Sequence, residues 1–338
     1  MADRAARAVV FLESAGWGKA LRQHLAGDAS DRRYERLRLG AATAVLMDNP
    51  PGGADDPGAF VAMARHLRSL GLSAPAILAA DLVHGFLLLE DLGDDLYARL
   101  LDADPARELA LYTQAVDVLL HLQRAPAPPG LPNLTAADWA EAACFALDHY
   151  AFAATGAKPD PAAFRAALQA ALEAHADGPR VLILRDFHAG NLLWLPWRDE
   201  LARVGLLDFQ LGQMGQPGYD LVSLLQDARR DVSPATEAAL VARFAGAVGA
   251  DPEGFAAHYA VLGAQRALRI LGVFARLCVH AGKPGYLRLI PRVWDQLQGN
   301  LTHPVLADLR AVCQAVLPAP SPEILSRIES QCAAFPSR

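Results

Sequence analysis

The sequence is poor in lysine. Lys19, Lys158 and Lys283 are its only ammonium side chains, and none lies between 19 and 158. Basic charge therefore rests on arginine. Cysteine is equally scarce. Cys144, Cys278, Cys313 and Cys332 are far apart and form no Cys-x-x-Cys pair, which argues against a zinc or redox motif. No apolar run is long enough for a membrane helix. The opening Met-Ala-Asp-Arg, with only a short apolar patch from Val9 to Leu12, does not read as a secretory signal. Scattered thiols without such a signal fit a reducing cytoplasm. There is no basic domain: the net charge is −6 with both signs spread along the chain, which argues against a nucleic-acid partner. The expectation is a soluble, cytoplasmic monomer that meets neither nucleic acid nor membrane.

What is present is core-forming material: 338 residues, 53% of them hydrophobic, enough for two lobes. An amphipathic helix is expected over 4–25, with Val9, Leu12, Trp17 and Leu21 near one face. A polar turn, Gly27 to Asp31, leads to strands over 32–39 and 42–48. Asn49-Pro50-Pro51-Gly52-Gly53 breaks the chain before a helix over 57–70. Strands over 76–80 and 84–89 run into the hinge Glu90-Asp91-Leu92-Gly93. Helical patterns then cover 94–124, 135–153 and 160–176, with a Pro-rich linker at 126–132. Short strands return at 180–184, 192–195 and 203–207, and beyond 218 the chain reads as helix. The layout is α+β and bilobal: a small sheet-rich N-lobe over 1–92 and a large, mostly helical C-lobe over 93–338.

The sharpest chemical signal is Leu184-Arg185-Asp186-Phe187-His188-Ala189-Gly190-Asn191, followed by Gly205-Leu206-Leu207-Asp208-Phe209-Gln210. Each half is an apolar strand ending in an acid. A tight loop from Asp186 to Asn191 turns both side chains to one spot, and a hairpin-sized connection brings Asp208. Phosphoryl transfer needs such a set. One carboxylate orients a hydroxyl and takes its proton, while an amide oxygen and a second carboxylate hold Mg²⁺ against the phosphates.

With these residues the chain resembles the aminoglycoside phosphotransferase-like kinases, relatives of the protein kinases. The resemblance rests on 186–191, Asp208-Phe209, Leu88-Leu89-Glu90-Asp91-Leu92 and Pro217-Gly218-Tyr219-Asp220-Leu221. It implies a protein-kinase-like fold, Asp186 as catalytic residue, Asn191 and Asp208 as metal ligands, and Asp220 as a brace of the catalytic loop. Gly27-Asp28-Ala29-Ser30, Arg32-Arg33-Tyr34, Met47-Asp48-Asn49-Pro50-Pro51, Gln265-Arg266 and Phe274-Ala275-Arg276 are similar to a narrower group. These are the anomeric kinases of N-acetylmuramate and N-acetylglucosamine, which serve bacterial cell-wall recycling. ATP and Mg²⁺ are the implied cofactors, and an amino sugar is the implied acceptor.

The chain departs from the wider pattern at the phosphates. The strand lysine that pairs with a helix glutamate is absent. Met47 stands about where it would be, and 57–70 contains no acid. Losing both ends of an ion pair is coherent, because one buried charge left alone is costly. Arg32 or Arg33 could supply the missing charge, or the loop Gly27–Ser30, through backbone N–H groups such as that of Asp28 and through the Ser30 hydroxyl, could cradle phosphate. Glu90 and Leu92 at the hinge are candidates to offer backbone groups to adenine. Leu184 replaces the histidine that commonly precedes Arg-Asp in protein kinases.

Between His258 and Trp294 lie six basic residues and no acid. Arg269 and Arg276 share a helix face, and Arg266 lies close to it. A kinase that grips polycationic antibiotics needs acids there. This stretch favours a neutral or anionic acceptor, with Arg266, Arg269 and Arg276 as substrate contacts, or else a solvated basic face paired with Asp227 or Asp231. His188 and Gln210, beside the catalytic acids, are candidate sugar-hydroxyl partners or structural residues. Two other readings stay open: a kinase for another small alcohol or antibiotic, and a nucleotide-binding pseudokinase that regulates a partner.

Overall fold

The computed structural model describes residues 2–25, 32–52 and 56–333. Packing divides them into two compact units, 1–129 with 184–212, and 130–183 with 213–338. In chain order the first unit holds α1 (Ala2–Ser14), β1 (Leu21–Leu25), β2 (Arg33–Leu39), β3 (Ala42–Asp48), α2 (Pro57–Ser69), β4 (Ile77–Asp81), β5 (Phe86–Glu90), α3 (Tyr97–Ala103) and α4 (Glu108–Arg124). The second holds α5 (Ala136–Ala143), a π-helical turn Ala146–Ala151, α6 (Phe152–Thr155), α7 (Ala162–His175) and β6 (Val181–Ile183). The chain then returns to the first for β7 (Leu192–Trp194) and β8 (Val204–Leu206). It ends in the second with β9 (Gln213–Gly215), α8 (Tyr219–Leu225), α9 (Pro234–Ala247), α10 (Pro252–Val279), α11 (Ile290–Leu301), α12 (Ala307–Val316) and α13 (Pro322–Glu329). The mixed α+β class is the expected one.

The boundary expected at 92/93 falls inside the first unit. α3 packs on the turn Ala189–Asn191 and on β7, and α4 packs on β8, so both helices group with the sheet.

The five-stranded sheet is antiparallel, in the order β1-β2-β3-β5-β4. Alternation gives it two faces. Leu37, Ala44, Leu46, Phe86 and Leu88 form one face and bury Ala8, Phe11 and Leu12 of α1. Val45, Met47, Leu87 and Leu89 look to the other.

The helix expected over 4–25 ends at Ser14. Gly16 takes a left-handed φ of +80° and turns the chain, so that 21–25 becomes the edge strand β1. The pattern expected over 94–124 is broken at Asp104-Pro105, because proline removes a helical donor. α2 starts where expected: Asp56 accepts from the amides of Gly58 and Ala59 at 2.8 and 3.2 Å, with Pro57 in the first turn.

In the second unit β6 pairs with β9, whose Gln213-Met214-Gly215 carries no apolar run to mark it in the sequence. Among the described residues no helix is long and apolar enough to cross a membrane.

Candidate active site

The first unit carries all three candidate catalytic residues. β7 and β8 form a short antiparallel ladder in which Leu192 faces Leu206. Asn191 precedes one strand and Asp208 follows the other, and the Leu207 amide donates to the Asn191 carbonyl at 3.0 Å. The hairpin thus sets the two prospective metal ligands side by side. Leu92, Leu193 and Leu195 form an apolar floor that ties the hinge to this hairpin. Gly205 permits that closeness, since a Cβ there would meet Leu193 Cβ at 3.0 Å.

The loop from Asp186 to Asn191 is held by its own polar groups. The Asp186 amide donates to the Leu184 carbonyl at 2.9 Å, and the Asn191 amide donates to the His188 carbonyl at 2.8 Å. Asn191 Nδ2 donates to the Asp186 carbonyl at 2.9 Å. With its nitrogen so anchored, Asn191 has its amide oxygen left for a cation. Arg185 and Asp208 sit at φ +71° and +55°, left-handed positions that few side chains adopt. Such strain is tolerated where it aims a functional group.

Asp208 Oδ1 accepts from Gln210 Nε2 at 2.9 Å and from Arg32 Nη2 at 3.0 Å. Gln210 Oε1 is buried with no hydrogen-bond partner in the protein. It is an oxygen that a ligand or water would satisfy. Among the described residues no group of three His, Cys, Asp or Glu side chains is placed to hold a metal. A cation at Asn191 and Asp208 would therefore draw further ligands from a nucleotide and water, which is the habit of Mg²⁺. This all-oxygen donor set fits that ion.

The remaining candidates fall in distinct places. Asp28 and Ser30 lie outside the described residues. Arg32 is 7% exposed and lies beside Asp208, whereas Arg33 is exposed. Glu90 is locked by its side chain: Oε2 accepts from the Ala76 amide at 3.1 Å and Arg68 at 3.3 Å, and Oε1 pairs with Arg198. Its amide donates to the Ala76 carbonyl at 2.9 Å and is spent on the sheet. Leu92 buries its side chain in the floor. His188 is buried, and its Nδ1 accepts from the Gly190 amide at 3.2 Å. It helps to build the loop. Gln210 orients Asp208.

The second-unit candidates separate as well. Asp220 is fully buried in α8. Arg266 is buried on α10 and donates to Ser223 Oγ at 2.9 Å and to the Gln226 carbonyl at 3.3 Å, so it holds the C-terminal end of α8. Arg269 lies over the Phe145 ring at 5.9 Å, and Arg276 is exposed. Arg292 forms a forked pair with Asp231 at 2.6 and 3.1 Å. The acid-free stretch is therefore not one unneutralised patch, because Arg292 is met by a carboxylate from the segment between α8 and α9. Within this unit Gln226, Asp231, Glu237, Arg288, Arg292 and Asp295 line an open cavity of about 440 Å³.

Arg36 and Phe60 were not singled out from the sequence. Arg36 Nη1 donates to Asp94 at 2.7 Å and Nη2 to Asp91 at 3.0 Å, clamping the hinge. The signal was present: 32, 34 and 36 alternate onto one face of a strand.

Residues 22–258 match the model of the Phosphotransferase enzyme family, and the chain belongs to that family. It is an ATP-dependent small-molecule kinase. The chain is 41% identical to the N-acetylmuramate/N-acetylglucosamine kinase of Caulobacter vibrioides, over 91% of this chain and 95% of that one. It is 32% identical to the protein of the same name from Pseudomonas putida, over 83% and 84% of the two chains. Among solved structures, a choline/ethanolamine kinase family protein from Mesorhizobium loti superposes with a TM-score of 0.62. That match covers 97% of this chain and 99% of the other at 15% identity, a likeness of fold.

Proposed function

We propose that the acceptor is N-acetylmuramate or N-acetylglucosamine and that the phosphoryl group passes from ATP to its anomeric hydroxyl. The observation that carries the chemistry is the hairpin juxtaposition of the Asp186–Asn191 loop with Asp208. The acceptor is supported by the names of the relatives and by their near full-length match.

Asp186 orients the hydroxyl and accepts its proton. An anomeric hydroxyl is more acidic than other sugar hydroxyls, so an ordinary carboxylate suffices late in a loose transition state. Asn191 and Asp208 would hold Mg²⁺, whose charge would offset that of the phosphates. Gln210 fixes the carboxylate of Asp208, and His188 fixes the loop that carries Asp186. Most of the rate comes from such positioning. Within the second unit, the cavity edged by Arg288 and Arg292 is of a size that suits a small ligand, and its mixed charge suits a polar ligand better than a polycation.

The test is incubation of the purified protein with ATP, Mg²⁺ and a panel of sugars, with products read by phosphorus NMR. A phosphate on the anomeric oxygen of either N-acetylated sugar is the expected product. Transfer to another hydroxyl, or no sugar turnover, overturns the assignment.

A further inference from the structure

We propose that Cys278 and Cys332 are an oxidation site, a thiol pair that a hydroperoxide converts into a disulfide, fastening the segment after α13 to the C-terminal end of α10. Both residues lie in the second unit. Neither has a part in the phosphoryl transfer proposed above.

The sequence hides the pair, because its thiols are remote along the chain. The fold brings them together. Ser321 caps α13, its Oγ accepting from the Ile324 amide at 3.3 Å, and the fully buried Ile328 anchors the helix. Beyond α13 the chain turns. The amides of Gln331 and Cys332 donate to the Ile328 and Glu329 carbonyls at 3.1 and 2.9 Å. The Ala333 amide then donates to the Cys278 carbonyl at 3.2 Å. That carbonyl belongs to the last turn of α10, where the helix supplies no donor of its own. Two side chains hold the turn from the other side. Arg327 Nη1 donates to the Ala154 carbonyl at 3.0 Å, and Gln331 Nε2 donates to the Ala153 carbonyl at 2.8 Å.

The thiols follow the backbone. Cys278 Sγ donates to the Ile328 carbonyl at 3.9 Å. The Cys332 thiol lies within hydrogen-bonding reach of the same sulfur. A backbone bond one residue from Cys332 thus sets the two segments at the spacing a disulfide spans. The two cysteines differ in access. Cys278 is buried, whereas Cys332 is half-buried and reaches solvent. Burial, and then the neighbouring Cys332 thiol, push the Cys278 thiol up to about 12, so it stays protonated.

Cys332 therefore meets the oxidant first. Its thiolate attacks a peroxide oxygen, the O–O bond breaks, and a sulfenic acid forms as water or an alcohol is released. The Cys278 sulfur then attacks the Cys332 sulfur. The S–S bond forms, hydroxide leaves, and it takes the Cys278 proton as water. Two thiols are oxidised and one hydroperoxide is reduced. Proximity offsets the weak nucleophilicity of a protonated Cys278. The cross-link removes chain entropy from the unfolded state and so raises stability.

The test treats the full chain with hydrogen peroxide, alkylates the remaining thiols and maps the peptides by mass spectrometry. The expected product is a monomer lighter by two hydrogens, with a peptide joining Cys278 to Cys332. Its urea midpoint is expected to shift upward and to return with dithiothreitol. Cys332→Ser is expected to lose both effects. Cys144→Ser, at a thiol that donates to the Ala140 carbonyl at 3.6 Å, is expected to keep both. The first measurement needs no variant, so it decides even if Cys332→Ser fails to fold. A sulfinic acid at Cys332 with Cys278 still open to alkylation, a disulfide between two copies, or oxidation of neither thiol overturns the proposal. A disulfide between 278 and 332 that leaves the urea midpoint unchanged overturns the fastening.

Discussion

Phe60 on α2 lies against Phe209, the residue after Asp208, with ring centroids 4.9 Å apart and planes at 29°. In the wider kinase pattern a charged pair joins this helix to the phosphate site. Here the helix has no acid, and an aromatic stack joins it to the Asp208 segment instead. Phe60 is 5% exposed. Phe60→Ala is expected to cost about 3–5 kcal/mol, whereas Phe60→Leu keeps most of the volume and costs under about 1.5 kcal/mol. Phe60→Leu is the informative variant. Its urea midpoint is expected to move little while kcat falls about tenfold, because a small misplacement of Asp208 is amplified in the rate.

Asp186→Asn separates chemistry from binding. The amide preserves shape but cannot take a proton from the acceptor. We expect kcat to fall by about 10²- to 10⁴-fold with ADP affinity unchanged by calorimetry. A pseudokinase would show no transfer activity in either protein, so the comparison also tests that rival.

Much of this site was legible in sequence because it is local. Asp186 to Asn191 is one loop, and Asp208 follows a short hairpin, so strand periodicity and spacing were enough. The strands expected over 32–39, 42–48 and 84–89 are β2, β3 and β5, the last a continuous apolar run. What escaped was set by tertiary partners. The acid-free stretch left two readings open, acceptor contacts or a basic face paired with Asp227 or Asp231; the Arg292–Asp231 pair is of the second kind, and Arg266 spends its charge on α8, which the sequence did not show. Likewise 21–25 carries a helix-compatible pattern, but Gly16 turns it onto the sheet edge. For His188 the sequence left a sugar partner or a structural residue open, and its Nδ1 accepts from its own loop.

Arg36 is expected to be a structural arginine of the sheet face. Its side chain is 10% exposed and that of its partner Asp91 is 7% exposed. Arg36→Met strands a buried carboxylate at the hinge, and about 3–5 kcal/mol of stability is expected to be lost. Asp91→Asn in the same chain is expected to recover part of it. Chemical denaturation of the two single variants and the double variant measures this coupling.

His258 predicts an acid-side loss of stability. Its Nδ1 donates to the His175 carbonyl at 3.1 Å, and its Nε2 is buried with no hydrogen-bond partner. Protonating Nε2 would bury an N–H with nowhere to donate, so burial holds this imidazole below the usual histidine range. Above the unfolded pKa of about 6.5 neither state is protonated, and the group is silent. As pH falls through that value, the unfolded chain takes up the proton first. Stability therefore drops until the folded pKa is reached. The urea midpoint is expected to fall between about pH 7 and pH 5.5. The fall should be smaller in His258→Asn, which keeps a donor for the carbonyl but does not titrate. His66 and His149, also held down by burial, should retain the remainder.

Arg266 and Arg288 should part company when acceptor binding is measured. Arg266 is buried and its donors are spent on Ser223 and the Gln226 carbonyl. Arg266→Met removes both bonds and leaves the buried Gln226 carbonyl short of a donor, a loss of about 1–3 kcal/mol. It should lower stability without changing preference between the two sugars. Arg288 is exposed at the rim of the second-unit cavity, where Arg292 is already neutralised by Asp231. It is the cation available there for a carboxylate. N-acetylmuramate carries a lactyl carboxylate, and N-acetylglucosamine does not. Arg288→Gln is expected to raise KM for N-acetylmuramate by about tenfold, the value of one charge-assisted hydrogen bond, with KM for N-acetylglucosamine unchanged. An equal rise for both sugars would mean that Arg288 shapes the cavity without reading the carboxylate. No change for either would place the acceptor elsewhere in the protein.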